Sequence, residues 1–232
     1  MLDSNDDGVE IAARVERFVR ETVVPFERDP RRTSHGPSDE LVQELRHLAR
    51  QASVLTPHIG TDGRHLTHRA TAKVLRAAGL SPLGPLAVNV MAPDEGNMYL
   101  LGKVASAEQK TRFLAPLVSG AVRSAFFMTE PAIDDGAGSD PSMMLTTARR
   151  DGNHWVVDGR KAFITGAEGA TVGFRHGESR RRRDDVPYGL ARSARPDRAT
   201  ARYDRLIDAG RSRGGKNRWA TRSCGPNSGI AR

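Results

Sequence analysis

The chain has 232 residues, enough for one or two domains with a buried core. Its formal net charge of +8 invites a nucleic-acid reading, but residues 174–232 hold 16 Lys+Arg against 6 Asp+Glu, which by subtraction leaves 20 against 22 in residues 1–173. Cys224 is the only cysteine, which excludes a disulfide framework or a cysteine metal site; no apolar run approaches the ~20 residues of a membrane span, and the acidic start (Asp3, Asp6, Asp7) is unlike a signal peptide. We therefore expect a cytoplasmic protein with no membrane contact.

Residues 8–122 read as helical. Val9, Ala12, Val15, Val19, Thr22 and Val23 recur at three- and four-residue spacing with Phe18 on the flank, and Pro25 is expected to end that helix. Ser38 is a candidate N-cap for a second helix that places Leu41, Val42, Leu45, Leu48 and Ala49 on one face. A Gly-containing loop spans His58 to His68. A third helix runs from about Thr67 to Ala78 and stops at Gly79. Pro82 and Pro85 lead into an apolar helix through Leu86, Val88 and Val90, and Pro93-Asp94 opens another that carries Met98, Leu100 and Leu101. Ser106 and Gln109 have capping-box spacing at the start of a last helix that buries Phe113, Leu114 and Leu117.

After Gly120 the hydrophobic period changes from 3.6 to 2. Ser124 to Thr129 reads as a buried strand. Leu145 to Arg150 and His154 to Val157 flank an Asp151-Gly152-Asn153 turn, and Asp158-Gly159 turns into a strand-like Lys161 to Thr165. Four strands are too few to close a barrel. From Phe174 onward the character changes again. Of 16 basic residues 15 are Arg, including the run Arg180–Arg183, and ten large apolar side chains are spread over the segment. That is too little apolar surface to offset the entropy of ordering it, so a disordered tail is expected.

The motifs FVRETVVPFE, PLAVNVMAPDEGNMYLLG, SAEQKTRFLAPLVSG, SAFFMTEP followed by GAGSD, and WVVDGRKAFITGA resemble the acyl-CoA dehydrogenase family over residues 10–173. The resemblance implies an α+β architecture, with an N-terminal all-helical domain (1–122), a truncated middle β-barrel domain (123–173) and an Arg-rich tail (174–232). It also implies an FAD cofactor, with cofactor contacts at Phe126, Met128, Thr129, Gly138, Ser139, Phe163, Ile164 and Thr165. By position, Phe126, Met128 and Thr129 would line the flavin ring, and the Thr129 hydroxyl and amide would bond its polar edge. Ser139 would contact the pyrophosphate and the acyl-CoA substrate. Phe163, where the family often has Trp, would pack on the isoalloxazine, and Thr165 would donate toward N5. Small donors of this kind stabilise negative charge arriving on the flavin.

The sequence departs from the family in three places. Ala132-Ile133-Asp134-Asp135 lengthens the loop before Gly138, and Asp158 replaces the usual Asn. The third departure concerns catalysis. The family's base is a glutamate of a C-terminal helical domain, so no residue here is assigned as catalytic. In complete relatives that base takes the α-proton of an acyl-CoA, the β-hydride passes to the flavin, and electrons leave through an electron-transfer flavoprotein. The Arg-rich, Lys-poor composition after Gly173 is what a shifted reading frame of a G+C-rich gene would give. The functional expectation is a truncated relative, inactive alone. Alternatives are a flavin- or acyl-CoA-binding half complemented by a separate C-terminal chain, or polyanion binding through the tail, with Tyr203 and Trp219 as stacking partners.

Other residues have plainer readings. Glu130 is expected to hold the strand end rather than act as a base. Asp134, Asp135 and Asp140 belong to a solvated loop, and Arg160 and Lys161 are expected as exposed hairpin charges. His58, His65 and His68 lie near Asp62 in one loop, but their spacing matches no specific metal site, so no metal is expected.

Overall fold

The computed structural model describes residues 6–33, 36–131, 138–151, 154–175, 178–179 and 189–192. The chain divides into two compact units, Met1–Arg123 and Ser124–Arg232. No helix among the described residues is long and apolar enough to cross a membrane.

Among the described residues the first unit is mainly helical, with one short ladder and one isolated bridge, Ile59 to His65. Helix α1 (Asp6–Phe18) crosses α3 (His68–Ala78) at a glycine: a Cβ on Gly8 would lie 2.9 Å from the Ala70 Cα, so only hydrogen fits at the crossing. The α1 stripe buries Val15 and Phe18, but Val9 remains 53% exposed. Pro25 does not stop the chain's helical course as expected. It has no N–H for the Glu21 carbonyl, and the chain compensates with a wide π turn over Val19–Val23 and a tight 3-10 turn over Val24–Arg28. Val19 and Val23 remain in the core. The strands β1 (Arg32–Thr33) and β2 (Gly36–Pro37) then pair antiparallel.

Local capping chemistry sets the next boundaries. Ser38 Oγ accepts from the Leu41 amide at the start of α2 (Asp39–Gln51), and Thr67 Oγ1 accepts from the Ala70 amide at the start of α3. Each such cap is worth about 1 kcal/mol. Gly79 closes α3. The helix expected through Val90 is shorter, α4 (Gly84–Ala87), because the chain turns at Asn89 with φ +58°. Helix α5 (Asp94–Val104) buries Met98 and Leu101. The capping box at Ser106 and Gln109 forms with both bonds, 3.2 and 2.8 Å, and opens α6 (Ala107–Gln109). A π turn over Lys110–Leu114 and α7 (Ala115–Val118) continue that helical run.

Arg46 ties this unit together. Its side chain is fully buried and donates to the Leu86 carbonyl (3.3 Å), the Gly120 carbonyl (3.0 Å) and Asn89 Oδ1 (2.7 Å), with Asp94 at 3.6 Å. Burial lowers the guanidinium to about 10 although Asp94 opposes the shift. Asn89, a residue type that tolerates the left-handed region, donates onward to Thr56 Oγ1 (2.7 Å) and the Leu117 carbonyl (2.8 Å).

The second unit carries strands β3 (Ser124–Phe127), β4 (Thr147–Asp151), β5 (His154–Asp158), β6 (Val172–Arg175), β7 (Glu178–Ser179) and β8 (Gly189–Arg192). One sheet has the order β3-β6-β8, with β3 and β6 parallel; the other has the order β5-β4-β7. The β4–β5 register pairs Asp151 with His154. Two expectations are corrected. Lys161 to Thr165 is not a strand but an irregular segment, and the boundary drawn after Gly173 falls inside β6. Phe174 is 1% exposed and pairs with Phe126, and β7 and β8 extend the pairing further. Gly173 itself is required by contact, since a Cβ there would lie 2.6 Å from the Phe127 ring. The Arg180–Arg183 run, Tyr203, Trp219 and Cys224 lie outside the described residues, as do Ala132 to Asp135.

Candidate functional site

The residues singled out in the second unit meet at the C-terminal end of β3. Alternation along that strand buries Ala125 and Phe127 in a small core with Ala170, against which Ile164 packs, and leaves Phe126 half-buried on the other face. Met128 and Thr129, also half-buried, continue past the strand. Thr129 exchanges two bonds with Ala162. Its hydroxyl donates to the Ala162 carbonyl, and its carbonyl accepts from the Ala162 amide at 3.0 Å. The threonine proton is thereby committed, and its oxygen lone pairs are what remain for a ligand.

This exchange draws residues 161–165 onto the strand end. Phe163 there is 88% exposed with φ +57°, a backbone conformation that costs a bulky residue free energy. Thr165 is exposed beside it, and Gly166 turns the chain at φ +75°. On the other flank, Gly138 (φ +56°) accepts the Glu130 amide at 3.0 Å, which anchors the loop bearing the exposed Ser139. Asp140 caps a single 3-10 turn, accepting from the Ser142 amide (2.8 Å) and hydroxyl (2.7 Å).

Beneath these residues lies a buried ion pair that the sequence did not reveal. Lys161, expected as an exposed charge, has no exposed surface. Its ammonium donates to the Met128 carbonyl and to Glu130 Oε1, both at 2.9 Å. Glu130 is 2% exposed and also accepts from the Leu145 amide (2.8 Å), the Thr146 amide (2.9 Å) and the Thr146 hydroxyl. Burial by itself raises this carboxyl, but the Thr146, Leu145 and Lys161 donors outweigh it and hold it below the usual carboxylate range. With four donors on it, this carboxylate braces the end of β3 against Thr146 and Lys161. Gly159 lets the chain pass this point, because a Cβ there would lie 2.7 Å from the Thr146 Cα.

The histidine loop of the first unit arranges itself differently from expectation. Asp62 turns away to Arg64 (2.8 Å), and the exposed His68 meets the Tyr99 hydroxyl at 3.3 Å. His58 and His65 instead face each other with Glu95, which lies 30 positions further along and has no local spacing signal. Burial, with His65 nearby, lowers His58 to about 4.

Residues 5–121 match the family profile described as "Acyl-CoA dehydrogenase, N-terminal domain", and residues 125–186 match "Acyl-CoA dehydrogenase, middle domain". Over 167 residues the chain is 34% identical to the Mycobacterium tuberculosis protein named "Probable acyl-CoA dehydrogenase FadE2", an alignment covering 69% of this chain and 40% of that protein. It is 30% identical over 171 residues to "Acyl-CoA dehydrogenase family member 11" of Gallus gallus, covering 69% of this chain and 21% of the relative. A solved glutaryl-CoA dehydrogenase from Mycobacterium smegmatis in complex with FADH2 shares the fold at a TM-score of 0.65 and 24% identity, over 88% of this chain and 54% of that one. The chain thus spans well under half the length of these two curated relatives.

Proposed function

Because the chain belongs to the acyl-CoA dehydrogenase family, we propose that the end of β3, the loop bearing Ser139 and the segment 161–165 form one wall of an FAD-binding site. The observation that carries this reading is Phe163, a large aromatic ring held outward in a left-handed conformation beside an exposed threonine. Solvent exposure of such a ring is unfavourable, and a flat aromatic ligand would cover it. The side chains fit the group in kind. Phe126, Met128 and Phe163 offer apolar surface, Thr165 and Ser139 offer hydroxyl donors, and Thr129 offers an acceptor oxygen. Gly138 and Ile164 shape the two loops.

When bound, FAD would supply the hydride acceptor of the family's α,β-dehydrogenation of acyl-CoA. This chain's residues would hold and orient it. Thr165 would donate a hydrogen bond at the hydride-accepting edge, and the Glu130–Lys161 brace would fix the height of segment 161–165 against β3. The family's catalytic glutamate has no counterpart in the matched residues 5–186, so we propose that these 232 residues by themselves do not dehydrogenate acyl-CoA. A separate chain carrying that domain could complete the site, and an electron-transfer flavoprotein would then be the electron acceptor. For the segment beyond the match, residues 187–232, the ratio of 10 Arg to 1 Lys supports a shifted reading frame; the missing dehydrogenase sequence appearing in another frame of the coding DNA would establish it.

The test is a titration of the purified chain with FAD, followed by flavin fluorescence, and then addition of acyl-CoA. We expect weak binding that Phe163→Ala and Thr165→Val each reduce, and no bleaching of the flavin absorbance. Binding indifferent to both substitutions would remove the site assignment. Bleaching by acyl-CoA would overturn the proposed inactivity.

A further inference from the structure

The loop between α2 and α3 folds back on itself. Its backbone frame is set by an isolated bridge between Ile59 and His65, the Gly60 amide donating to the Arg64 carbonyl (2.8 Å) and the Leu66 amide donating to the His58 carbonyl (2.9 Å). This brings the two imidazoles together at 5.3 Å between centroids and 78° between planes. His58 is 1% exposed, and neither of its ring nitrogens has a hydrogen-bond partner. An imidazole taken out of water with both nitrogens unpaired is costly, because the lost solvation is not replaced. His65 is 6% exposed at its side chain, with Nδ1 2.7 Å from the Leu66 carbonyl. That contact requires the proton on Nδ1, which leaves the Nε2 lone pair facing inward. Nε2 has no hydrogen-bond partner and lies 3.6 Å from Glu95 Oε1 on the first turn of α5.

We propose that His58, His65 and Glu95 form a binding site for a divalent transition-metal cation, Zn²⁺ being the best match. One donor atom from each lies within 4.8 Å of the other two. Donors on a common zinc are separated by about 3.3 Å, from Zn–N and Zn–O lengths of about 2.0–2.1 Å in a tetrahedron. Small side-chain adjustments close the difference. Two imidazoles and one carboxylate are a zinc donor set, with a fourth position left for water. The Leu66 carbonyl performs the task outer partners have in such sites, fixing the tautomer and direction of a ligating ring. Tyr99 packs edge-on against His65 at 5.0 Å and restrains the ring from another side. The site would cross-link the 58–66 loop to α5 within the helical unit. This inference stands apart from the flavin reading, since every residue it uses lies in Met1–Arg123.

The experiment uses the untagged 232-residue chain, freed of metal with a chelator and titrated with Co²⁺ and then Zn²⁺. We expect one Co²⁺ per chain, with the intense visible absorption of a four-coordinate site and displacement by Zn²⁺. Glu95→Gln and His65→Gln should each weaken binding by at least 10–100-fold, roughly the range that outer partners of metal ligands alone command. His47→Gln, an exposed histidine on α2, should leave it unchanged. As a readout independent of any variant's folding, the imidazole resonances of His58 and His65 in the unaltered chain should shift on adding Zn²⁺. The proposal is overturned by failure to bind, by faint six-coordinate absorption, by equal sensitivity to His47→Gln, or by imidazole shifts confined to other histidines.

Discussion

Lys161 has no exposed surface, and its ammonium reaches a carboxylate that already accepts three other hydrogen bonds. Removing one member of such a pair strands the other charge away from water. Lys161→Met should therefore destabilise the β unit by about 3–5 kcal/mol, while Lys161→Met combined with Glu130→Gln should recover a large part of that loss. Urea denaturation of both variants checks the difference. The same carboxyl gives a pH dependence. Its folded value is depressed, so its contribution is complete above the ordinary glutamate value of 4.5 and is lost as pH falls through the lower folded value. Unfolding free energy measured from neutral pH into that acid range should decline, and in Glu130→Gln the decline should be smaller. At this scale the strand-end role of Glu130 was legible, because a polar residue ending an apolar strand is a local pattern. Lys161 was misread because its partner is 31 positions away.

Helix boundaries were the most legible elements. Ser38, Thr67, Gly79 and the Ser106–Gln109 box act within four residues of themselves, so neighbouring sequence suffices to predict them. The elements that departed from expectation are governed by distant contacts. Val19–Arg28 keeps a helical course past Pro25 because Val19 and Val23 are buried in the core, and segment 161–165 forgoes strand geometry because Ala162 and Lys161 are bonded to the end of β3. Arg46 shows the same dependence, joining α2 to the Leu86 and Gly120 carbonyls and to Asn89. Arg46→Ala removes the donor to the Gly120 carbonyl and to Asn89 Oδ1 and the buried counter-charge of Asp94, and a loss of about 3–5 kcal/mol is expected. Arg50→Ala, one turn further on, removes only an exposed bond to the Ser119 carbonyl and should change stability by no more than about 0.5 kcal/mol. Thermal melts of the two variants test the contrast.

For the whole molecule, family and fold class come from motifs spread over both units, and the two family profiles account for residues 5–121 and 125–186. An α unit followed by a β unit was readable because hydrophobic period is a property of consecutive residues, and it changes from 3.6 to 2 after Gly120. The flavin prediction belongs at this scale too, since a wall built from β3 and its flanking loops should bind FAD more weakly than a complete relative does. Sequence alone determined the family and the helix caps, both of which are written in short stretches of chain. Tertiary structure decided which polar groups are buried together: Glu130 with Lys161, Arg46 with Asn89, and His58 and His65 with Glu95. The physical reason is that burial and pairing depend on what the folded chain brings alongside, and these partners lie 30 or more residues from at least one member of each group.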